Sequence, residues 1–261
     1  MGLHNTLSCL LLWILTGVCF AQGQFPHRNA HAHNDYEHVH PLKDALQNGF
    51  ISVEADVHLR KGKLQVAHNH TSDQSPLLEE LYMKPLDSIL SKNNGQIYSA
   101  IESPVIFYLM IDVKTEEEVT YQAIKTMLVK YPALQKTGGP FKIFLSGNRP
   151  IQTIRNEGTT GIGVDGRPGD LGKGFSSELM PVVSDHYKNW SHWNGKARPT
   201  GKDLAEIKAL ALRVHAEGKK LRLWSIPDNE LAWESLLAAG VDLINTDKLE
   251  QLNKFLTRRG L

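Results

Sequence analysis

Cysteine is almost absent from this sequence, and charged side chains are wholly absent from its start. The two cysteines, Cys9 and Cys19, fall within the first 21 residues, which hold no Asp, Glu, Lys or Arg. From Leu7 to Ala21 the run is almost entirely apolar, closing on Val18-Cys19-Phe20-Ala21 before the polar Gln22-Gly23-Gln24. This pattern reads as a secretory signal peptide over residues 1–21, cut near Ala21. An apolar run of about 15 residues is shorter than the ~20 a helix needs to cross hydrocarbon, which disfavours an uncleaved anchor. Val18 stands where a lipoprotein signal places a small residue, so lipid attachment at Cys19 is also disfavoured. Removal of the segment leaves no cysteine, which excludes disulfides and, with export, points to a bacterial periplasmic or secreted protein.

Other absences narrow the field further. No later stretch approaches ~18 consecutive apolar residues, so no stable membrane insertion is expected after signal removal. Twenty-nine Lys and Arg against 28 Asp and Glu leave a net charge of +1, which argues against a nucleic-acid partner. No low-complexity linker divides the rest, so residues 22–261 are expected to form one domain.

What is present is a regular alternation. Short apolar runs at Asn29–His33, Ile51–Val57, Val105–Val113, Lys142–Ser146, Gly161–Asp165, Pro181–His186, Leu221–Ile226 and Leu243–Asp247 read as eight strands. Helical stretches fall between many of them, at Pro41–Asn48, Glu116–Lys130, Pro150–Glu157, Lys202–Glu217 and Glu230–Ala239, several closed by glycine. This fits an α/β fold of the TIM-type (β/α)8 barrel, with a doubly wound open sheet as the alternative. Chemistry separates the two, because barrel enzymes carry their reactive groups at the C-terminal ends of many strands.

Polar residues fall at those ends. Alternation along Ile51–Val57 puts Glu54 and Asp56 on one face and Val53, Ala55 and Val57 on the other, which helices would cover. Both faces of a parallel sheet are normally buried, so the acids point into the barrel, where paired carboxylates favour a cation. Asp112 and Lys114 repeat the spacing at the end of the next strand. Three carboxylates with oxygen donors alone describe a site for a hard divalent cation, Mg²⁺ or Ca²⁺. Together with the ion and the Lys114 ammonium they come to zero net charge, leaving room for one anion such as a phosphodiester. Arg60-Lys61-Gly62-Lys63 reads as a tight turn that brings His68 back over the mouth, where His33 and His68 flank the metal and carry protons. His38, His40, His58 and His70 read as surface residues, and His31 is left open.

In order, His33, Glu54-x-Asp56-Val57, Val66-x-His68, Asp112-x-Lys114, Leu223-Trp224-Ser225-Ile226 and Gly240-Val241-Asp242-Leu243-Ile244-Asn245-Thr246-Asp247 resemble the glycerophosphodiester phosphodiesterases and the wider phosphatidylinositol-phospholipase-C-like barrel superfamily. The resemblance spans roughly residues 29 to 252. It implies Glu54, Asp56 and Asp112 as metal ligands, His33 and His68 as the acid/base pair, Lys114 as a phosphate contact and Trp224 as a pocket wall, with a small or lipid-derived phosphodiester as substrate. The family's His-Arg-Gly is here His33-Asn34-Asp35, so Asn34 takes the place of an arginine beside the phosphate, and the following Pro-Glu-Asn is missing. Asp112 stands where glutamate is commoner. His-Asn-Asp-Tyr resembles a branch known mainly by its fold, so substrate does not follow from it.

Two other readings stay open. His31-x-His33 with His186 and Asp247 at later strand ends resembles the start of an amidohydrolase-type zinc site, although Glu54-x-Asp56 is not needed there. A barrel that binds phosphodiesters without cleaving them is the other. The aromatic stretch 185–195 reads either as a substrate contact or as a cap packed on the barrel rim. The glycines around 161–169 lack dinucleotide-site spacing, so no nucleotide cofactor is expected.

Overall fold

A computed structural model describes residues 26–98, 104–136, 138–158 and 161–261. Residues 1–21, expected from the sequence as a signal peptide, lie outside them. Nine strands form one sheet: β1 His27–Ala32, β2 Phe50–Arg60, β3 Lys63–Val66, β4 Phe107–Val113, β5 Phe141–Gly147, β6 Ile162–Gly166, β7 Val182–His186, β8 Lys220–Trp224 and β9 Leu243–Thr246. Eight are parallel in the order β1-β2-β4-β5-β6-β7-β8-β9, and β1 pairs with both β2 and β9, so the sheet closes on itself. An open doubly wound sheet has two free edges and is excluded. All eight expected strands are present, with ends shifted by up to three residues.

Helices α1 Lys43–Gln47, α2 Lys84–Lys92, α3 Glu117–Leu128, α4 Ile151–Glu157, α5 Gly201–Ala216, α6 Glu230–Ala238 and α7 Leu249–Thr257 surround the barrel. Their apolar faces join one buried cluster with the outward-facing strand residues: Ile124 and Leu128 of α3 on the side of Val53 and Ala55 of β2, and Ile207, Leu210 and Val214 of α5 on the side of Leu221 and Leu223 of β8. α2, preceded by a π-turn over Glu79–Met83, and α7 were not anticipated from the sequence. Between β6 and β7 a 3-10 turn at Pro168–Asp170 stands where a barrel usually has a helix.

The barrel interior has two levels. Tyr108, Met110, Phe144, Val182 and Leu243 pack into a separate apolar cluster toward the N-terminal end of the strands. Above it, alternation continues with polar side chains: Asp112 follows Met110, Ser146 follows Phe144, Ser184 follows Val182 and Asn245 follows Leu243. Glu54, Asp56, Asp165 and Arg222 complete a buried polar ring at the C-terminal level. With the apolar plug beneath it, this ring faces the C-terminal mouth.

β2 runs past the rim and folds back as the expected hairpin, pairing antiparallel with β3 from Val57↔Val66 to Arg60↔Lys63. The two loop residues Lys61 (φ 50°) and Gly62 (φ 73°) both have positive φ, the requirement of a two-residue turn that matches strand twist.

Candidate active site

Strand alternation alone delivers the three acids to one place. β2 and β4 pair with Asp56 opposite Asp112, and ligand oxygens of Glu54, Asp56 and Asp112 all lie within 4.8 Å of one another. Among the described residues no other group of three His, Cys, Asp or Glu side chains is gathered in this way. Oδ1 of Asp56 and Oδ1 of Asp112 are buried without a hydrogen-bond partner. An orphaned buried acceptor costs about 1–3 kcal/mol, so two in one cluster of oxygen donors fit a hard cation that would satisfy both. Gly147, at the end of β5, makes room for them: a Cβ there would lie 2.2 Å from Asp112 Oδ1 and 2.5 Å from Val113 O.

Two cations hold the acids in place. Lys114 Nζ lies 3.0 Å from Asp56 Oδ2 and hydrogen-bonds Asp112 Oδ2, as the i, i+2 spacing suggested for Asp112. The second cation, Arg222 of β8, was not singled out from the sequence. Its Nη2 donates to Glu54 Oε2 at 2.6 Å and its Nε to Asn245 Oδ1 at 2.9 Å, with the side chain only 3% exposed. Arg222 corrects the charge balance drawn from sequence: three acids against two cations leave one negative charge, and a divalent ion turns this into one positive charge that a phosphodiester would cancel. The signal for it was present, because Leu221-Arg222-Leu223 places a charged side chain on the inner face of a strand with apolar neighbours.

The pKa values follow from this geometry. Burial works to raise Glu54, but Arg222 and the hydrogen bond with His31 outweigh it and hold the carboxyl down at about 2. Asp56 goes the other way: burial, assisted by the neighbouring Glu54 and Asp112 carboxylates, pushes it up to about 6 despite Lys114. His31 is fully buried with Nδ1 2.7 Å from Ser52 Oγ and Nε2 3.1 Å from Glu54 Oε2. Burial and Arg222 lower it to about 4, so near neutral pH it is an uncharged support for Glu54.

His33 stands at the rim with Nδ1 2.7 Å from Asp247 Oδ1, which leaves Nε2 as the available ring nitrogen. Burial lowers its pKa, but the Asp247 hydrogen bond and the Glu54 charge overcome this and the net shift is upward. The next residue, Asn34, is buried in the left-handed conformation (φ 45°), which asparagine tolerates better than most side chains. Asp35 then anchors the turn, its Oδ2 accepting from Leu42 N at 2.6 Å and Tyr82 OH at 2.8 Å. His68 is exposed just beyond β3, and the amide of the preceding Ala67 donates to Asp56 O at 3.2 Å. The hairpin therefore brings the chain before His68 alongside the acids, with no hydrogen bond between His68 and His33. Trp224, 38% exposed at the end of β8, meets the His186 ring edge-on at 4.2 Å between centroids, and Ser225 after it has φ 57°.

The stretch 185–195 is a packed cap. Trp190 Nε1 donates to Asp185 Oδ2, Tyr187 OH donates to Trp193 O, and Tyr187 is 2% exposed. The amidohydrolase reading loses its ligands, since His31 is engaged by Ser52 and Glu54 while His186 Nδ1 accepts from Lys188 N. Among the described residues no helix is long and apolar enough to cross a membrane.

Residues 20–159 match the AIM6-like phosphodiesterase domain family, and residues 220–250 match the glycerophosphoryl diester phosphodiesterase family. The second match contains Arg222, Trp224 and Asn245. The chain is 27% identical to the altered inheritance of mitochondria protein 6 of Kluyveromyces lactis, covering 87% of this chain and 72% of that protein. It is 28% identical to the homologue from Arthroderma benhamiae, covering 83% and 80%, and 25% identical to the Saccharomyces cerevisiae protein, covering 84% and 68%. These relatives are fungal and carry a name that refers to mitochondria, which overturns the expectation of a bacterial periplasmic or secreted protein.

Proposed function

Because the chain belongs to the family of AIM6-like phosphodiesterase domains, we propose that it hydrolyses a small or lipid-derived phosphodiester, such as a glycerophosphodiester, with a divalent cation. The observation that carries this reading is the Glu54, Asp56 and Asp112 cluster with its two orphaned buried oxygens. These three would hold Mg²⁺ or Ca²⁺, and the ion would supply positive charge to the phosphoryl oxygens. Lys114, held on the far oxygens of Asp56 and Asp112, places a further positive charge beside them. His33, oriented by Asp247 as a base is by its supporting carboxylate, takes or gives a proton through Nε2. His68 serves as the opposite proton carrier from the hairpin, while Asn34 and Trp224, at the ends of β1 and β8 with only β9 between them, border the substrate from one side of the mouth.

The test is a hydrolysis panel of glycerophosphodiesters, lysophospholipids, sphingomyelin and bis-p-nitrophenyl phosphate, run with and without chelator. Activity should disappear with chelator and return with Mg²⁺ or Ca²⁺, and Glu54→Ala or Asp56→Ala should lose metal binding and turnover together. His33→Ala and His68→Ala should each lose at least ~10²-fold in kcat with metal affinity retained. Turnover that survives chelation, or wild-type metal affinity in Glu54→Ala, would overturn the proposal.

A further inference from the structure

Beside the acids, the mouth of the barrel carries a group of cations that the chemistry above does not use. β4 and β5 pair with Asp112 opposite Ser146, and Ser146 Oγ donates to Asp165 Oδ2 at 2.9 Å. Asp165 is fully buried, and Ser184 and Arg167 take its remaining capacity, Arg167 Nη1 at 2.6 Å. Nη2 of Arg167 reaches back to 3.3 Å from Ser146 Oγ. One strand therefore separates this guanidinium from Asp112.

Arg149 approaches from the loop after β5. Asn148 ties that loop to the strand bearing the metal candidates, donating from its backbone N to Val113 O and from Nδ2 to Thr115 O, both at 2.9 Å. Arg149 itself is mostly buried, with Nε lacking any hydrogen-bond partner and Nη2 still 3.7 Å from the nearest carboxylate, Asp170 Oδ2. That carboxylate oxygen is already committed to the Arg167 backbone N at 2.9 Å, and Lys173 lies 3.5 Å from its other oxygen. Arg149, Arg167 and Lys173 thus gather around Asp165 and Asp170, with Glu117 as a further carboxylate acting on Arg149. A purely structural role accounts for Arg167, which holds Asp165, but not for Arg149, whose one ion pair is long and whose buried Nε has no hydrogen-bond acceptor to offset its desolvation.

We propose that Arg149 and Arg167 form a subsite for a second anionic group of the substrate, a phosphate monoester or carboxylate on the alcohol beyond the scissile diester. This rests on the phosphodiesterase reading. Guanidinium groups suit the task because their planar forks meet phosphate or carboxylate oxygens in pairs. At one to two strand spacings from the acids, roughly 5–10 Å, the subsite suits a charged group a few bonds from the reacting phosphorus.

Three matched substrates test it: p-nitrophenyl propyl phosphate, its 3-phosphopropyl analogue and its 2-carboxyethyl analogue, which share one leaving group. Wild type should favour at least one charged analogue over the propyl ester by at least tenfold in kcat/KM, and which one identifies the anion. The ratio should collapse toward one in Arg149→Gln and fall partway in Arg149→Lys, which keeps the charge, loses the fork and serves where the glutamine variant does not fold. A wild-type ratio within twofold of one for both analogues, or a ratio that survives in Arg149→Gln and Arg149→Lys, would overturn the subsite while hydrolysis of the propyl ester upholds the parent reading. If no ester is cleaved, the parent reading falls, and calorimetric titration of inorganic phosphate in chelator decides the subsite alone. Binding weakened at least fivefold in Arg149→Gln supports it, and undetectable or unchanged binding overturns it.

Discussion

Arg222 is the side chain on which the charge state of the site turns. Replacing it with methionine keeps the stem and leaves Glu54 as a buried carboxylate with only His31 beside it. Without divalent ion, Arg222→Met should lose about 3–5 kcal/mol of stability, as when one partner of a buried pair is removed. Added Mg²⁺ or Ca²⁺ should recover part of that loss by taking over the charge, measured as the shift in urea midpoint with and without ion. An equal deficit in both conditions would separate Glu54 from the metal. Asp56 gives a pH signature, because its metal-free carboxyl is raised to about 6 and a ligand must be ionised. Metal binding should release a proton near pH 5.5 and almost none at pH 8, read by calorimetry in buffers of different ionisation enthalpy. The three acids were legible because an inner-facing carboxylate in a doubly covered strand has nowhere else to go. Arg222 follows the same rule, but that strand was read by its aromatic end, and His31 was obscured by seven other histidines between His27 and His70.

Among the elements, the junction of β4 and β5 carries the tightest constraint. Gly147 has φ 65°, and its hydrogen faces Asp112 Oδ1 and Val113 O. Gly147→Ala should therefore push Asp112 out of line and weaken metal binding at least tenfold, at a stability cost of about 1–2 kcal/mol from the left-handed backbone alone. A metal titration beside thermal melting checks this, and unchanged affinity would mean that the Asp112 carboxylate is not a ligand. The strands and the Lys61-Gly62 turn were readable because period-two apolar runs and positive-φ residues are local signals. α2 was not, since Pro85 reads as a break although the first helical turn tolerates it, and its buried Leu86 and Leu90 need tertiary partners to be recognised. The packing of Tyr187 and Trp190 under the rim is likewise decided by tertiary contacts.

Across the whole molecule, Asp35 couples folding to pH. Burial raises it to about 6 in spite of the hydrogen bonds from Leu42 and Tyr82. A carboxyl whose folded pKa exceeds its unfolded value of about 4 binds its proton more tightly in the folded chain, so its contribution is greatest below that value and declines as pH rises through 6. Over two pH units the decline is about 2–3 kcal/mol, and Asp35→Asn should flatten it, so wild type loses stability relative to the variant between pH 4 and pH 7. Parallel slopes for the two proteins would show that Asp35 titrates normally. Asn34 and Ser225 show a different tension, since both hold left-handed backbone at the ends of β1 and β8, on the rim above the acids. Glycine at 225 would relieve about 1 kcal/mol of strain and also let the Trp224 ring wander. Ser225→Gly should therefore melt later and turn over more slowly, which makes heat tolerance and speed competing traits in this barrel: selection for the hardier protein would pass through the slower enzyme.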